Sequence, residues 1–404
     1  MEKKNQIPKY PLLRFPEFTD EWKEVTLGEV AAFFSGGTPS TYNKTFYKGD
    51  IPFIRSGEIH DSRTELAISK EAVEGSSAKI VFVGDILLAL YGATSGDIAI
   101  SKMRGAINQA ILCIRPSSEI DRDFLFFIWE YRKEDIVRKY IQGGQGNLSA
   151  EIVKNIPLRL PALPEQRKIA ALLSLIDERI EVQNAIIKEQ EVAKTSLIRR
   201  LFDRTLRFPE FTDEWKVVKL GEVGEKQHAK NADDSIDRVY TNSAQDGIVE
   251  QTEFFDKEIA NGNNLSGYYI VKQYDFVYNP RLSKTAPVGA MNLNKNTGIG
   301  LVSPLYTVFR ITARSVLNEF LEYLFESTSW HGYMNEVANF GARSDRMNIK
   351  DKDFFNLPLR LPSLLEQRKI ADLLSAVDER IAVEKEYATL LQKQKAYLLR
   401  QMFV

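Results

Sequence analysis

One stretch of roughly 38 residues occurs twice in this chain, and it constrains the fold more than any other feature. Residues 164–202, PEQRKIAALLSLIDERIEVQNAIIKEQEVAKTSLIRRLF, return in similar form as residues 365–403 and close the sequence. In the first copy Leu173, Ile176, Ile180, Ile187, Leu197 and Leu201 fall on alternating steps of three and four, with Gln183, Gln190 and Lys194 at the places between. In the second copy Leu374, Val377, Ile381, Ala388, Leu391, Leu398 and Met402 do the same, interrupted by Glu384 and Lys395. A narrow apolar seam of this period predicts two long helices that pair with each other. At 1.5 Å per residue each would be about 57 Å long, a rod that holds whatever is attached to it at a fixed distance, as a flexible linker does not.

The duplication extends beyond the rods. Phe-Pro-Glu-Phe-Thr-Asp-Glu-Trp-Lys begins at Phe15 and again at Phe208, an offset of 193, and each copy leads into Leu-Gly-Glu-Val at Leu27 and Leu220. Pro-Leu-Arg-Leu-Pro begins at Pro157 and again at Pro358, an offset of 201, just before each rod. Between these matched ends the two middles share almost nothing. A common frame with unlike fillings is the pattern of one device carrying two different contact heads. The boundaries read as a first head at 1–155, a first rod at 156–204, a second head at 205–356 and a second rod at 357–404.

Both middles read as α+β. The first offers strand candidates at 51–55, 79–83, 86–91 and 109–114, then a helix from Asp121, a suitable cap, to about 141 with Phe124, Phe127, Ile128, Tyr131 and Ile136 on one face. The second offers strands at 268–272, 274–278 and 304–311, then a helix over 318–337. A loop follows each helix, glycine-rich at 143–147 and Asn-Phe-Gly-Ala-Arg-Ser-Asp-Arg-Met-Asn at 339–348.

At 404 residues and 44% hydrophobic content, two cores can be filled. A net charge of -1 gives no global basic signal, so any claim of a nucleic-acid partner must rest on local side chains. The lone Cys113 lies in an apolar run and reads as a buried thiol, without a disulfide framework or cysteine-zinc site. The first residues lack the apolar run of a signal peptide, and no stretch approaches 18 apolar residues, so a cytoplasmic protein without a membrane partner is expected.

Enzyme signatures do not emerge. Asn279-Pro280 opens like the Asn-Pro-Pro-Tyr loop of amino-methyltransferases, but Arg281 replaces the second proline and no glycine motif for a methyl donor precedes it. Glu21-Trp22-Lys23 and Glu214-Trp215-Lys216 imitate half of a nuclease metal site at too short a spacing, and they read as head anchors packed through Phe15, Phe18 and Trp22. The three histidines, His60, His228 and His331, have no partner at ligand spacing, so no metal site and no catalytic residue are expected.

The unlike middles do carry side chains suited to DNA. Arginine and lysine match guanine edges and phosphates, and asparagine and glutamine pair bidentately with adenine. In the first head these are Lys44, Arg55, Lys102, Arg104, Asn108, Gln109, Gln145 and Asn147, with Thr38, Ser40, Thr94 and Ser95 for phosphate or sugar. In the second they are His228, Lys230, Asn231, Asn242, Asn279, Arg281, Lys284, Arg343, Arg346 and Asn348. Singly, each is more often a solvated surface residue; their placement between like frames is what points to recognition. The Glu-Gln-Arg-Lys at 165–168 and 366–369, with Arg199, Arg200 and Arg400, reads mostly as solvated helix face, the remainder being available to partner subunits.

Taken together, the segments Leu13-Arg-Phe-Pro-Glu-Phe, Ser35-Gly-Gly-Thr-Pro, Gly84-Asp-Ile-Leu, Ile107-Asn-Gln-Ala, Gly341-Ala-Arg-Ser-Asp and the paired Glu-Gln-Arg-Lys-Ile-Ala runs resemble the DNA-specificity subunit of type I restriction-modification systems over essentially the whole chain. The resemblance implies two α/β target-recognition domains separated by two long antiparallel coiled-coil helices, a pseudo-twofold internal repeat. It implies a non-catalytic subunit whose domains each read half of a bipartite double-stranded DNA site while the helices set the spacer. The implied partners are two methyltransferase subunits and restriction/translocase subunits, which would bind S-adenosylmethionine, Mg and ATP, leaving this chain without a cofactor. The alternative is a structural adaptor, two protein-binding domains on a coiled-coil strut.

Overall fold

The repeated sequence heads and tails pair with each other as strands. The computed structural model describes residues 10–140, 147–251, 265–339 and 345–404, and the chain divides into two units, Met1–Asn184 with Glu386–Val404 and Ala185–Lys385. Two long helices, Leu163–Phe202 and Leu364–Met402, match the expected rods, and each gives its first part to one unit and its last part to the other. The compact units are therefore not the four consecutive segments of the sequence reading, because each head is completed by the far end of the helix that follows the other head.

In the first unit β1 (Lys23–Thr26) carries the repeated head; β2 (Ala31–Ser35), β3 (Ile51–Ile54), β4 (Ala67–Ile68), β5 (Lys79–Val81), β6 (Ile86–Ala89), β7 (Ile98–Ile100), β8 (Gly105–Ile107) and β9 (Ile111–Pro116) make the middle; β10 (Pro157–Leu160) carries the tail. β1 and β10 form an antiparallel ribbon with Lys23 opposite Leu160. The middle has two four-stranded sheets, β2-β9-β6-β7 and β4-β3-β8-β5, the second containing the parallel pair β3–β8. The helix Arg122–Tyr140 is capped by Asp121, whose Oδ1 accepts from the amides of Asp123 and Phe124. Its apolar face closes the core with Trp22, Leu27, Leu158 and Leu173. The second long helix delivers Phe403 into that core, 5.3 Å from Phe124 and stacked on Tyr131 at 5.8 Å. Each such side chain contributes about 1.5–3 kcal/mol by leaving water.

The second unit repeats the plan. β11 (Lys216–Lys219) pairs with the tail strand Pro358–Leu361 in the register of the first ribbon, with Lys216 opposite Leu361. The middle holds β12 (Gly224–Lys226), β13 (Tyr240–Ser243), β14 (Gly247–Glu250), β15 (Tyr269–Lys272), β16 (Phe276–Asn279), β17 (Ala290–Leu293), β18 (Ile299–Val302) and β19 (Thr307–Ile311). The sheet β12-β19-β16-β17 has the strand order of β2-β9-β6-β7, whereas β13-β14 and β15-β18 replace the other sheet of the first unit. Phe202 plugs this core against Trp215 and Phe320 at 6.3 and 5.4 Å.

The helix expected over 318–337 is two, Asn318–Glu326 and His331–Val337. Ser327 breaks it: its hydroxyl donates to the Leu324 carbonyl and accepts from the Ser329 amide, and the Trp330 indole donates to the Phe325 carbonyl, so local side-chain bonds displace the helical ones.

The Glu-Gln-Arg-Lys segments prove to be internal fasteners. Glu165, 1% exposed, receives two hydrogen bonds from Arg14 at 2.7 Å, and Glu366, also 1% exposed, receives two from Arg207 at 2.8 and 2.9 Å. Gln166 donates to the carbonyls of Pro161 and Glu119 and accepts from the Asp121 amide; Gln367 does the same with Pro362, Ser315 and Leu317. Lys168 pairs with Glu17 and lies over Phe15, as Lys369 pairs with Glu210 and lies over Phe208. The arginine and lysine of each motif are exposed, as the solvated-face reading expects, while the glutamate and glutamine are buried.

Candidate nucleic-acid interface

Along the two long helices the seam residues differ in burial. Leu173, Ile176, Ile187, Leu201, Leu374, Ile381 and Leu391 are buried, and Ile180, Leu197, Val377 and Leu398 are half-buried. Within the first unit Lys395 meets Asp177 while Arg179 donates to Tyr387, so one segment rises in number as the other falls and the pairing is antiparallel. Within the second unit Lys194 meets Asp378 and Lys385 meets Glu191, the same sense.

The seam lysines each hold two carboxylates. Lys395 lies 2.8 Å from Asp177 on the facing helix and 2.8 Å from Glu130 on the head helix, with Phe127 beneath it at 5.4 Å. Lys194 lies 2.7 Å from Asp378 and 3.0 Å from Glu326, with Tyr323 beneath it at 5.4 Å. Burial alone pushes both ammonium groups down, but the paired carboxylates outweigh it and hold them above the usual lysine range. Each lysine thus ties a helix end to its partner helix and to the head.

A second matched pair sits inside the heads. Asp85 and Asp275 open β6 and β16, accept from the amides of Phe82 and Lys272, and bind Arg115 and Arg310 at 2.7 Å. The turns need a left-handed residue, supplied by Gly84 at φ +93 and by Tyr274 at φ +67. Burial of Asp85 opposes its ionisation, but Arg115 and the amide prevail and lower its pKa. Burial and the Asp85 charge push the neighbouring Cys113 thiol up to about 12, as an inert core cysteine requires.

Of the first-head candidates, Thr38 donates to Gln109 at 2.7 Å and both are exposed, joining the loop after β2 to the turn before β9. Ser40, Lys44, Lys102, Arg104 and Asn147 are exposed, Arg104 lying 6.0 Å over Phe82. Arg55 is committed to Glu58 and Glu65 at 3.0 and 2.5 Å, Asn108 accepts from the Ala110 amide, Ser95 donates to the Leu90 carbonyl, and Thr94 is half-buried in the same turn. Gln145 lies outside the described residues.

In the second head two candidates are corrected. Asn231 is fully buried, its amide donating to the Ile236 carbonyl and accepting from the Ile236 amide. Asn242, 2% exposed, donates to the carbonyls of Val277 and Ala290 and accepts from Asn292. Both are scaffold, with no edge left for a base. His228, Lys230, Arg281, Lys284 and Asn348 are exposed, Lys230 lying 5.4 Å over Tyr269; Arg343 lies outside the described residues.

Asn279, Arg281 and Arg346 come together. Asn279 accepts from the Arg281 amide, fixing the loop, and donates to the Asn242 carbonyl. The Met347 amide donates to Pro280 and the Leu282 amide to Asp345, so the loop after β16 is laced to the loop that returns to the frame. The first head makes the matching tie, from the Leu148 amide to the Leu90 carbonyl after β6. In the second head the laced loops border a cleft of roughly 490 Å³ that also takes in Thr241, Ser243 and Tyr306. Sequence reasoning missed those three; for Thr241 and Ser243 the available signal was Tyr-Thr-Asn-Ser at 240–243, a polar run alternating buried and half-buried. Among the described residues no group of three or more histidine, cysteine or acidic side chains could hold a metal, and no helix is long and apolar enough to cross a membrane.

A duplicated frame of ribbon, four-stranded sheet and long helix, bearing unlike polar loops, defines a recognition subunit. The chain belongs to the type I restriction modification DNA specificity domain family, whose domain matches residues 19–191 and again 212–393. Relatives include the type I restriction enzyme MjaVIII specificity subunit of Methanocaldococcus jannaschii, 23% identical over 96% of this chain and 92% of its own length. The EcoR124I/EcoR124II specificity subunit of Escherichia coli is 28% identical over 41% of this chain and 43% of its own length. The crystal structure of the type I S subunit from M. genitalium superposes with a TM-score of 0.54 at 13% identity, covering 98% of this chain and 99% of that one. A chain from a study of complex assembly and conformational transition of the type I system gives 0.59 at 19% identity, covering 96% and 98%. The protein is a DNA-recognition subunit of a type I restriction-modification system.

Proposed function

We propose that each unit reads one half of a bipartite duplex site, that the paired helices set the unread spacer and dock two methyltransferase subunits, and that restriction/translocase subunits join through these. The supporting observation is a frame whose fasteners recur residue for residue, Arg14–Glu165 and Arg207–Glu366 among them, around middles that differ in one whole sheet. S-adenosylmethionine, Mg and ATP belong on this reading to the partner subunits, within the cytoplasm. The near-neutral net charge of -1 accords with partners that supply much of the phosphate neutralisation.

A gel shift separates this function from a structural adaptor. The chain combined with its adenine-methyltransferase partner is expected to retain a duplex bearing the bipartite site, and to release the same duplex when either half is scrambled. Failure to retain any duplex, alone or with that partner, would leave the adaptor standing.

A further inference from the structure

Several arginines of the second head are engaged with carboxylates: Arg310 binds Asp275 at 2.7 Å, Arg238 binds Glu250 at 3.1 Å, and Arg207 is spent on Glu366. Arg281 is exposed and has no carboxylate partner among the described residues. Its backbone is nevertheless held: Asn279 Oδ1 receives the Arg281 amide at 3.0 Å, and Arg281 forms an antiparallel bridge with Arg346. Arg346 is half-buried and only loosely paired with Asp345, at 3.7 Å. A fixed backbone carrying a free guanidinium at the rim of a polar cleft is what base reading needs, since a reader must be positioned before it binds and must not be neutralised by its own protein.

We propose that the cleft flanked by Arg281 and Arg346 is the base-reading site of the second head, with Arg281 addressing the O6 and N7 of a guanine in the major groove. The assignment rests on reading the second unit as a DNA-recognition domain. Arginine is the side chain whose planar fork meets those two acceptors at once. Arg346, less exposed, lies alongside it to neutralise the flanking phosphate. The first head has Leu90 and Tyr91 at the turn where the second has Pro280 and Arg281, so the two heads differ at the very place this assignment makes decisive.

The test is methylome sequencing of cells carrying the full chain with its methyltransferase partner, comparing wild type with Arg281→Ala and Arg281→Lys. Arg281→Ala is expected to relax one G·C position of one half-site by about ten- to hundredfold in discrimination, leaving the other half-site untouched. Arg281→Lys retains the charge and is expected to relax the same position. The exposed position predicts an unchanged thermal transition for both variants. An unchanged motif with unchanged methylation, relaxation at an A·T pair, or a uniform fall at all sites with a salt slope smaller by about one, the mark of a phosphate contact, would each overturn the assignment. If the wild-type motif proves not to be bipartite, the reading of the heads fails instead.

Discussion

Replacement of Glu366 by alanine is expected to destabilise the second unit by about 3–5 kcal/mol, the cost of breaking a buried ion pair and stranding its partner. Glu366 receives two hydrogen bonds from Arg207 and a third from the Trp215 indole at 3.2 Å, while being 1% exposed. The alanine variant leaves the Arg207 guanidinium with only the Asp213 carbonyl and no counter-charge, leaves the buried indole without an acceptor, and unhooks the ribbon from the helix start. Glu165→Ala strands Arg14 alone, because the Trp22 indole has no hydrogen bond even in the native fold. It is expected to cost about 1 kcal/mol less. Hydrogen exchange along β11 and along β1 in the two variants measures both effects; a loss below about 1 kcal/mol for Glu366→Ala would show that the fastener is decorative.

The seam lysines carry the next largest effect. Lys194→Met removes the cation that bridges Asp378 and Glu326 and is expected to cost about 1–2 kcal/mol, discounted because those carboxylates are 41% and 44% exposed. Adding Asp378→Leu should recover part of the loss, since an apolar seam pair replaces a stranded charge. The pH dependence follows from the raised lysine pKa. A raised folded pKa stabilises fully below the unfolded value, about 10.4, and the contribution is lost as pH rises through the folded value. The difference between wild type and Lys194→Met is therefore constant from neutral pH to about pH 10 and closes above it. Urea unfolding across that range checks the sign, and a gap that widened with alkali would contradict it.

Much of the frame was legible because its constraints are local or repeated. The three-four spacing from Leu173 to Leu201 fixes which helix face is dry, and Asp121 announces a helix start whatever packs against it. The common four-stranded sheet was not legible, since β6 and β16 share little beyond the aspartate that opens them, and the Asp85–Arg115 and Asp275–Arg310 pairs form across distant strands. The break at Ser327 was hidden for a related reason: an apolar run of helical period does not reveal that a hydroxyl will take the Leu324 carbonyl.

The candidate interface was legible only as a set of residue types. Asparagine suits an adenine edge and a backbone carbonyl equally, and composition cannot separate Asn279 on the loop from Asn242 beneath it. Arg55 and Arg281 look alike in sequence, yet one is held by two glutamates and the other is free of any carboxylate among the described residues. The first residue of each Glu-Gln-Arg-Lys run was illegible for the opposite reason, its carboxylate being turned inward onto an arginine 151 or 159 positions away while the arginine and lysine beside it stay exposed.

Exchange of residues 30–150 for the corresponding stretch of a different recognition head, followed by methylome sequencing, tests most directly whether one frame carries two independent readers. The account predicts that one half of the methylated motif changes while the other half and the spacer persist. A change in both halves, or in neither, would contradict it.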